Sequence, residues 1–289
     1  MITFDQHARE LLRKATTRLD REIERTIADP AEDPVHDMRV AVRRLSQALR
    51  MFAALFPARE ARAMRLALKP ALAAAAVARD LDVGMELLRK EQLPAEHGLL
   101  VRMTAERRRA GLALTGQLYL LRADDLPLIW MPRYDVLRSS PEDAALLART
   151  ELPPLAADFF KAGRKTILKA ESATRLHEFR LTAKRFRYTL ELFRDFFGPV
   201  YQGRMDSVRE IQSLLGKRQD YAVLAARLAP FAPIDDALQA ALTESETRGL
   251  RCEDEFRRYW VERFDAPGEE LKWQRYLMRR PPASKVPSC

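Results

Sequence analysis

Two histidines head the same basic pattern. His36 is followed by Arg39, Arg43, Arg44 and Arg50 in "VHDMRVAVRRLSQALRMF", residues 35–52. His177 is followed by Arg180, Lys184, Arg185 and Arg187 in "LHEFRLTAKRFRYTLELF", residues 176–193. Guanidinium forks pair bidentately with phosphate oxygens, and lysine adds a compact charge. An imidazole at a helix start can hydrogen-bond the same oxygens, and a bound anion raises its pKa. Such a row suits a polyanion held by many moderate contacts.

The two stretches are related by a fixed step. A shift of 141 residues carries His36 onto His177, Arg39 onto Arg180, Arg43 onto Lys184, Arg44 onto Arg185 and Phe52 onto Phe193. A second landmark follows in each half, "ARDLDV" (78–83) and "RQDYAV" (218–223), with Asp80 against Asp220. One histidine alone would be read as bonding a neighbouring loop or carboxylate. Recurrence with the same basic residues favours a functional role, and the simplest source is a duplicated helical unit with a boundary near Arg133–Ser140.

On a helical wheel the first copy places Met38, Ala41, Val42, Leu45, Ala48, Leu49 and Phe52 on one stripe, opposite His36, Arg39, Arg43 and Arg50. The second places Phe179, Ala183, Phe186, Leu190 and Phe193 opposite His177, Arg180, Lys184 and Arg187. Solvated faces mix signs, as "LDREIERTIAD" does; these faces are almost acid-free. Asp33 before Pro34 reads as an N-cap, and Thr174 holds the same place in the second copy, so each histidine is expected third in its helix. Further cations join. Lys161, Lys165 and Lys169, with Arg164, precede the second copy, and Lys69 stands opposite Arg209 at a shift of 140. Arg18, Arg21 and Arg25 are interleaved with acids, and Arg107–Arg109 reads as a solvated face.

The chain that must position these residues is all-α. It has 289 residues, 47% hydrophobic, with only 10 glycines and few β-branched runs. Helices are expected near 4–28, 34–56, 60–91, 96–121, 124–131, 142–170, 174–197, 201–229 and 235–264, broken at prolines such as Pro57, Pro132 and Pro199. Fifty basic residues against 41 acidic ones give a net charge of +9, which favours an anionic partner. Two cysteines, Cys252 and Cys289, make no disulfide framework. No signal-peptide core and no uninterrupted apolar run of membrane length occurs, so the cytosol is the expected compartment.

The two H-x-x-R-x-x-x-[RK]-R helices, "HDMRVAVRR" and "HEFRLTAKR", with "RDLDV" (79–83) and "LLGKRQD" (214–220), resemble the CHAD family, the conserved histidine α-helical domain. The resemblance runs from about Phe4 to Leu277. It implies two pseudo-symmetric four-helix bundles, 1–135 and 141–278, with a basic cavity or groove between them; the tail at 279–289 is Pro-rich and polar and is expected to be disordered. The resemblance implies non-catalytic binding of inorganic polyphosphate, often at polyphosphate granules, with no cofactor. By position His36, Arg39, Arg43, Arg44, His177, Arg180, Lys184, Arg185 and Arg187 carry over. Ser46 departs from the basic residue often seen there; Arg187 fills that place in the second copy. The Leu-Gly step of "LLGKRQD" is absent from the first half, so the halves need not contribute equally. Asp80 and Asp220 are expected to orient arginines or cap helices.

Rival readings are weaker. "ESETR" (244–248) is an E-x-E-x-R in helical context, unlike the strand-borne E-x-E-x-K of triphosphatases often fused to this family. No P-loop, H-E-x-x-H or cysteine cluster occurs, and a metal ion at either histidine would be repelled by the arginines. A nucleic-acid or nucleotide binder fits the charge, but aromatics sit on the core stripes and not among the cations. A helical interaction scaffold is the third alternative.

Overall fold

The computed structural model describes residues 2–57, 59–123, 126–168, 173–231 and 235–279. The chain is all-α. Its helices are α1 (Phe4–Ala28), α2 (Glu32–Met51), α3 (Glu60–Ala67), α4 (Lys69–Lys90), α5 (Gly98–Ala123), α6 (Leu126–Asp135), α7 (Ala144–Leu168), α8 (Ala173–Leu192), α9 (Val200–Leu228), α10 (Asp236–Arg263) and α11 (Glu269–Met278). Short 3-10 turns occupy Ala53–Leu55 and Arg194–Phe196. Among the described residues β pairing is limited to an isolated antiparallel bridge between Thr3 and Asp143.

Apolar side chains at three- and four-residue spacing account for these elements. Phe4, Ala8, Leu12, Leu19 and Ile23 are buried along α1, and Val35, Met38, Val42, Leu45 and Leu49 along α2. The two basic helices keep a common register. Glu32 to Ala173 and Met51 to Leu192 are both steps of 141 residues, and the 3-10 turns that follow obey the same step. From α1 to α7 the step is 140 at both ends.

Several boundaries differ from the sequence expectation. The helix expected at 34–56 starts at Glu32 and stops at Met51. The helix expected at 60–91 is two, because Pro70 in the first turn of α4 has no N–H to donate and Leu68 joins the pieces. Pro132 does not end a helix; α6 runs through it to Asp135. The α11 helix was not expected. It follows Gly268, whose φ of 76° suits glycine, and has Glu269 and Glu270 in its first turn. Lys169 and the tail from Arg280 lie outside the described residues.

The chain divides into two compact units. One holds Asp5–Ser140 and Asp220–Thr247; the other holds Pro141–Gln219 with the described residues before Asp5 and from Arg248 on. A single cut between 135 and 141 therefore does not describe the packing. Residues 220–247 belong with the first unit because Leu224, Leu228, Leu238 and Ala241 join Leu81, Met85, Leu88, Leu100 and Met103 in one core. The second unit is centred on aromatic rings. Phe159 has its ring centroid 5.4 Å from Phe179, 5.1 Å from Phe186, 5.4 Å from Trp260 and 5.3 Å from Phe264. Trp273 of α11 closes the cluster, 5.6 Å from Phe186. Each such ring, fully buried, contributes on the order of 2 kcal/mol by area alone.

Candidate functional site

The α2 helix begins two residues earlier than Asp33 at the N-cap would allow. Its N-cap is Ala31, with no side-chain cap, and Ala31 N–H donates to the Asp29 carboxylate at 3.2 Å. Asp33 and Pro34 are therefore inside the helix, and His36 is its fifth residue and not its third. Thr174 likewise lies inside α8. Neither histidine sits on the free N–H groups of a helix start. The groups that surround His36 are cations instead.

Those cations act on His36 directly. Its imidazole keeps an exposed edge. Partial burial, then the charges of Arg79, Arg39 and Arg43, hold its pKa below the ordinary 6.5, with Asp37 pulling the other way. Arg43 is half-buried and forms no ion pair among the described residues, while Arg44 and Arg50 are exposed. Arg39 departs from the wheel: only 9% exposed, it belongs to the packed side of α2. Arg79, not counted from sequence, reaches Glu32 in the first turn of α2. His177 and Arg185 are exposed on α8, and Arg180 and Lys184 are half-buried.

The second unit gathers cations into one place. Lys161 and Lys165 of α7 and Arg185 of α8 line a groove of about 350 Å³ with Leu155, Asp158, Ala162, Thr182 and Phe186. Lys161, Lys165 and Arg185 are exposed, and none has an ion pair among the described residues. Lys161 and Lys165 lie one turn apart, so both face the groove. Arg164 stands about 100° round the helix from Lys165 and is directed elsewhere. It pairs with Glu270 and, at 3.6 Å, with Asp265, which hold its pKa above its usual value. Its recess, lined also by Glu269, is acidic and unsuited to an anion. Arg164 is a fastener between α7 and α11.

The first unit lacks an equivalent. At the step of 140 that relates α1 to α7, Arg21 and Arg25 stand where Lys161 and Lys165 stand. Arg21 and Arg25 lie 3.0 and 3.3 Å from the buried carboxylate of Glu22, and Arg25 also binds Asp37 at 2.7 Å. Their charge is already neutralised.

The remaining candidates divide. Lys69 is exposed at the start of α4 without an ion pair among the described residues. Arg209 pairs with Asp206 at 2.9 Å and lies 3.9 Å from Glu191. Arg187 lies over the Tyr188 ring at 4.5 Å and 3.9 Å from Glu191. Asp80 neither caps a helix nor orients an arginine: it is exposed and without a hydrogen bond among the described residues. The acid that does so is Asp82, buried and bound by Arg107 Nε at 2.7 Å. Arg107 also donates to the Pro30 carbonyl at 2.7 Å, fixing the turn before α2. So one residue of the arginine triplet at 107–109 is structural, not solvated. The heptad-like position of Asp82 on the apolar stripe of α4 was the available signal.

The groove and the α2 face present fixed positive charge with few competing acids, which suits phosphate oxygens arrayed along a chain. Comparisons with known proteins agree on the fold. The chain is similar to the crystal structure of the CHAD domain from the plant Ricinus communis, with a TM-score of 0.67 and 21% identity, over 97% of this chain and 94% of that one. It is similar to PptA from Streptomyces chartreusis, with a TM-score of 0.58 and 17% identity, over 90% of this chain and 99% of that one. No curated protein sequence matches it. The CHAD domain family model matches residues 10–229, most of the chain's length, and the protein belongs to the CHAD domain family.

Proposed function

We propose that this protein binds inorganic polyphosphate without turning it over, in the cytoplasm and at polyphosphate granules. The observation that carries the proposal is the convergence of Lys161, Lys165 and Arg185 on one groove with no ion pair to any described residue. Arg21, Arg25 and Arg164 are held by acids, whereas these three cations share one groove and are held by none among the described residues. Supporting it, His36 is surrounded by arginines that make sense with an anion present. The E-x-E-x-R at 244–248 lies within the helix α10, which supports reading it as a helix face.

The test is polyphosphate affinity with duplex DNA and nucleotides as competitors. Lys161→Ala with Lys165→Ala and Arg185→Ala should weaken polyphosphate binding by at least about tenfold, the scale of losing several charge-assisted bonds. The thermal midpoint should barely move, because exposed charges contribute little to stability. Arg21→Ala with Arg25→Ala should leave affinity nearly unchanged. Easy displacement by DNA would favour the nucleic-acid alternative, and equal losses of affinity in both variants would remove the groove from the proposal.

A further inference from the structure

The α11 helix (Glu269–Met278) meets the groove from behind. Phe186 is one of the groove's lining residues, yet it is only 1% exposed, because its ring forms the floor. That ring stacks on Phe159 of α7, centroids 5.1 Å apart, and meets Trp273 of α11 at 5.6 Å. Arg185, the groove cation of α8, is the residue next to it. The α7 wall is held from the same side. Lys161 and Lys165 face the groove, while Phe160 and Arg164, also one turn apart, face α11. Phe160 lies 6.5 Å from Trp273, and Arg164 is bound by Glu270. A third tie comes from α9, where Arg204 lies over Trp273 at 4.6 Å and Tyr276 at 4.8 Å and meets Glu269 at 3.4 Å. The helix that makes these contacts has 10 residues, with Trp273 and Leu277 as its buried anchors. That is too short to stay helical alone, so leaving its seat and unfolding are one event. The CHAD family model ends at residue 229, before α11 begins.

We propose that α11 is a brace coupled to the groove, holding α7 and α8 at the spacing that brings Lys161, Lys165 and Arg185 onto one phosphate chain; this rests on the groove being the polyphosphate site. The physical reason is the repulsion among three like charges, none held by an acid among the described residues. With the brace seated, Phe186 has a ring behind it and α7 is tied through Arg164, so both walls are fixed. With the brace gone, the cations are free to move apart. A polyanion lying across all three removes their repulsion and favours the braced arrangement. The coupling is therefore reciprocal: α11 strengthens binding, and binding tightens α11, by the same factor. No groove-lining residue belongs to α11, so the tightening travels through Phe186 and Arg164.

Hydrogen exchange of the full chain, with and without saturating tripolyphosphate, tests the coupling. The amides of 270–278 should exchange more slowly with the ligand. They should do so equally in Lys272→Ala with Arg275→Ala, which removes the exposed cations of α11 that could touch phosphate directly. Trp273→Ala should speed exchange in 270–278 while the amides around Leu88 and Met103, buried in the other unit, stay protected. It should weaken tripolyphosphate binding at least about tenfold, as when about a tenth of the molecules hold the competent arrangement. The slope of log affinity against log salt should not change, since the bound state makes the same phosphate contacts. Trp273→Phe should restore most of the affinity. Should Trp273→Ala fail to fold, ligand-induced protection in the unchanged chain decides by itself. Unchanged exchange in 270–278 at saturation, protection lost with Lys272 and Arg275, or full affinity in a folded Trp273→Ala would each overturn the brace and leave the groove standing. A chain with Lys161→Ala, Lys165→Ala and Arg185→Ala that binds as tightly as the unchanged one would remove the groove itself, and the brace with it.

Discussion

His36 is under two opposing influences, and they fix the sign of a pH effect. Without ligand, burial and the three arginines depress its pKa below 6.5. A histidine depressed in the folded state binds fewer protons folded than unfolded, so stability rises with pH across the interval between the two values. That stability is present above the ordinary value and is lost as pH falls through it toward the folded one. A polyanion reverses the field and raises the pKa, so binding takes up a proton. Polyphosphate affinity should therefore strengthen as pH falls from 8 toward 6, while the ligand-free thermal midpoint declines. His36→Gln should flatten both. An affinity profile in His36→Gln as steep as that of the unchanged chain would place the titrating group elsewhere. At this scale the sequence identified the residue types but not their burial. Arg39 sits on the polar arc of the wheel, yet neighbouring elements cover it to 9% exposure. Only tertiary packing decides which cations of a row remain open.

The elements show why some features were legible and others not. Hydrophobic spacing places α1 at Phe4–Ala28, and the 141-residue step of the basic motif is also the step of the helices that carry it. Local chemistry decides these. The α11 helix was missed because its 10 residues contain only two fully buried anchors, Trp273 and Leu277, which signify a helix only once the aromatic cluster they close is known. Gly163 was silent for the same reason. In the fold a Cβ at Gly163 would lie 2.0 Å from the Trp260 ring, itself packed between Phe159, Phe179 and Phe264. The ring has no room to retreat. Gly163→Ala should destabilise the protein by about 2 kcal/mol or more, as overpacking of a rigid core does. Urea denaturation would read this as a lower midpoint. An unchanged midpoint would mean that α7 and α10 can separate freely, contrary to the packed rings between them.

At the scale of the whole molecule, the net charge of +9 could serve any anion, and what separates a site from a charged surface is how many charges act together. Most arginines in contact with acids contribute nothing to ligand binding, because displacing their partners costs as much as the ligand returns. In the second unit three charges with no such partner among the described residues, Lys161, Lys165 and Arg185, share one groove. This gives a quantitative expectation. By analogy with nucleic acids, each phosphate neutralised by a protein cation releases about 0.7–0.9 of a counterion. Removing Lys161, Lys165 and Arg185 should then reduce the slope of log affinity against log salt by roughly 2–3. The Arg21→Ala with Arg25→Ala variant should keep the original slope. A triple variant that loses affinity while keeping its slope would mean that the groove shapes the site without touching phosphate. A slope reduced by the full amount would make these three side chains direct ligands, and the groove between α7 and α8 the place where the chain of phosphates lies.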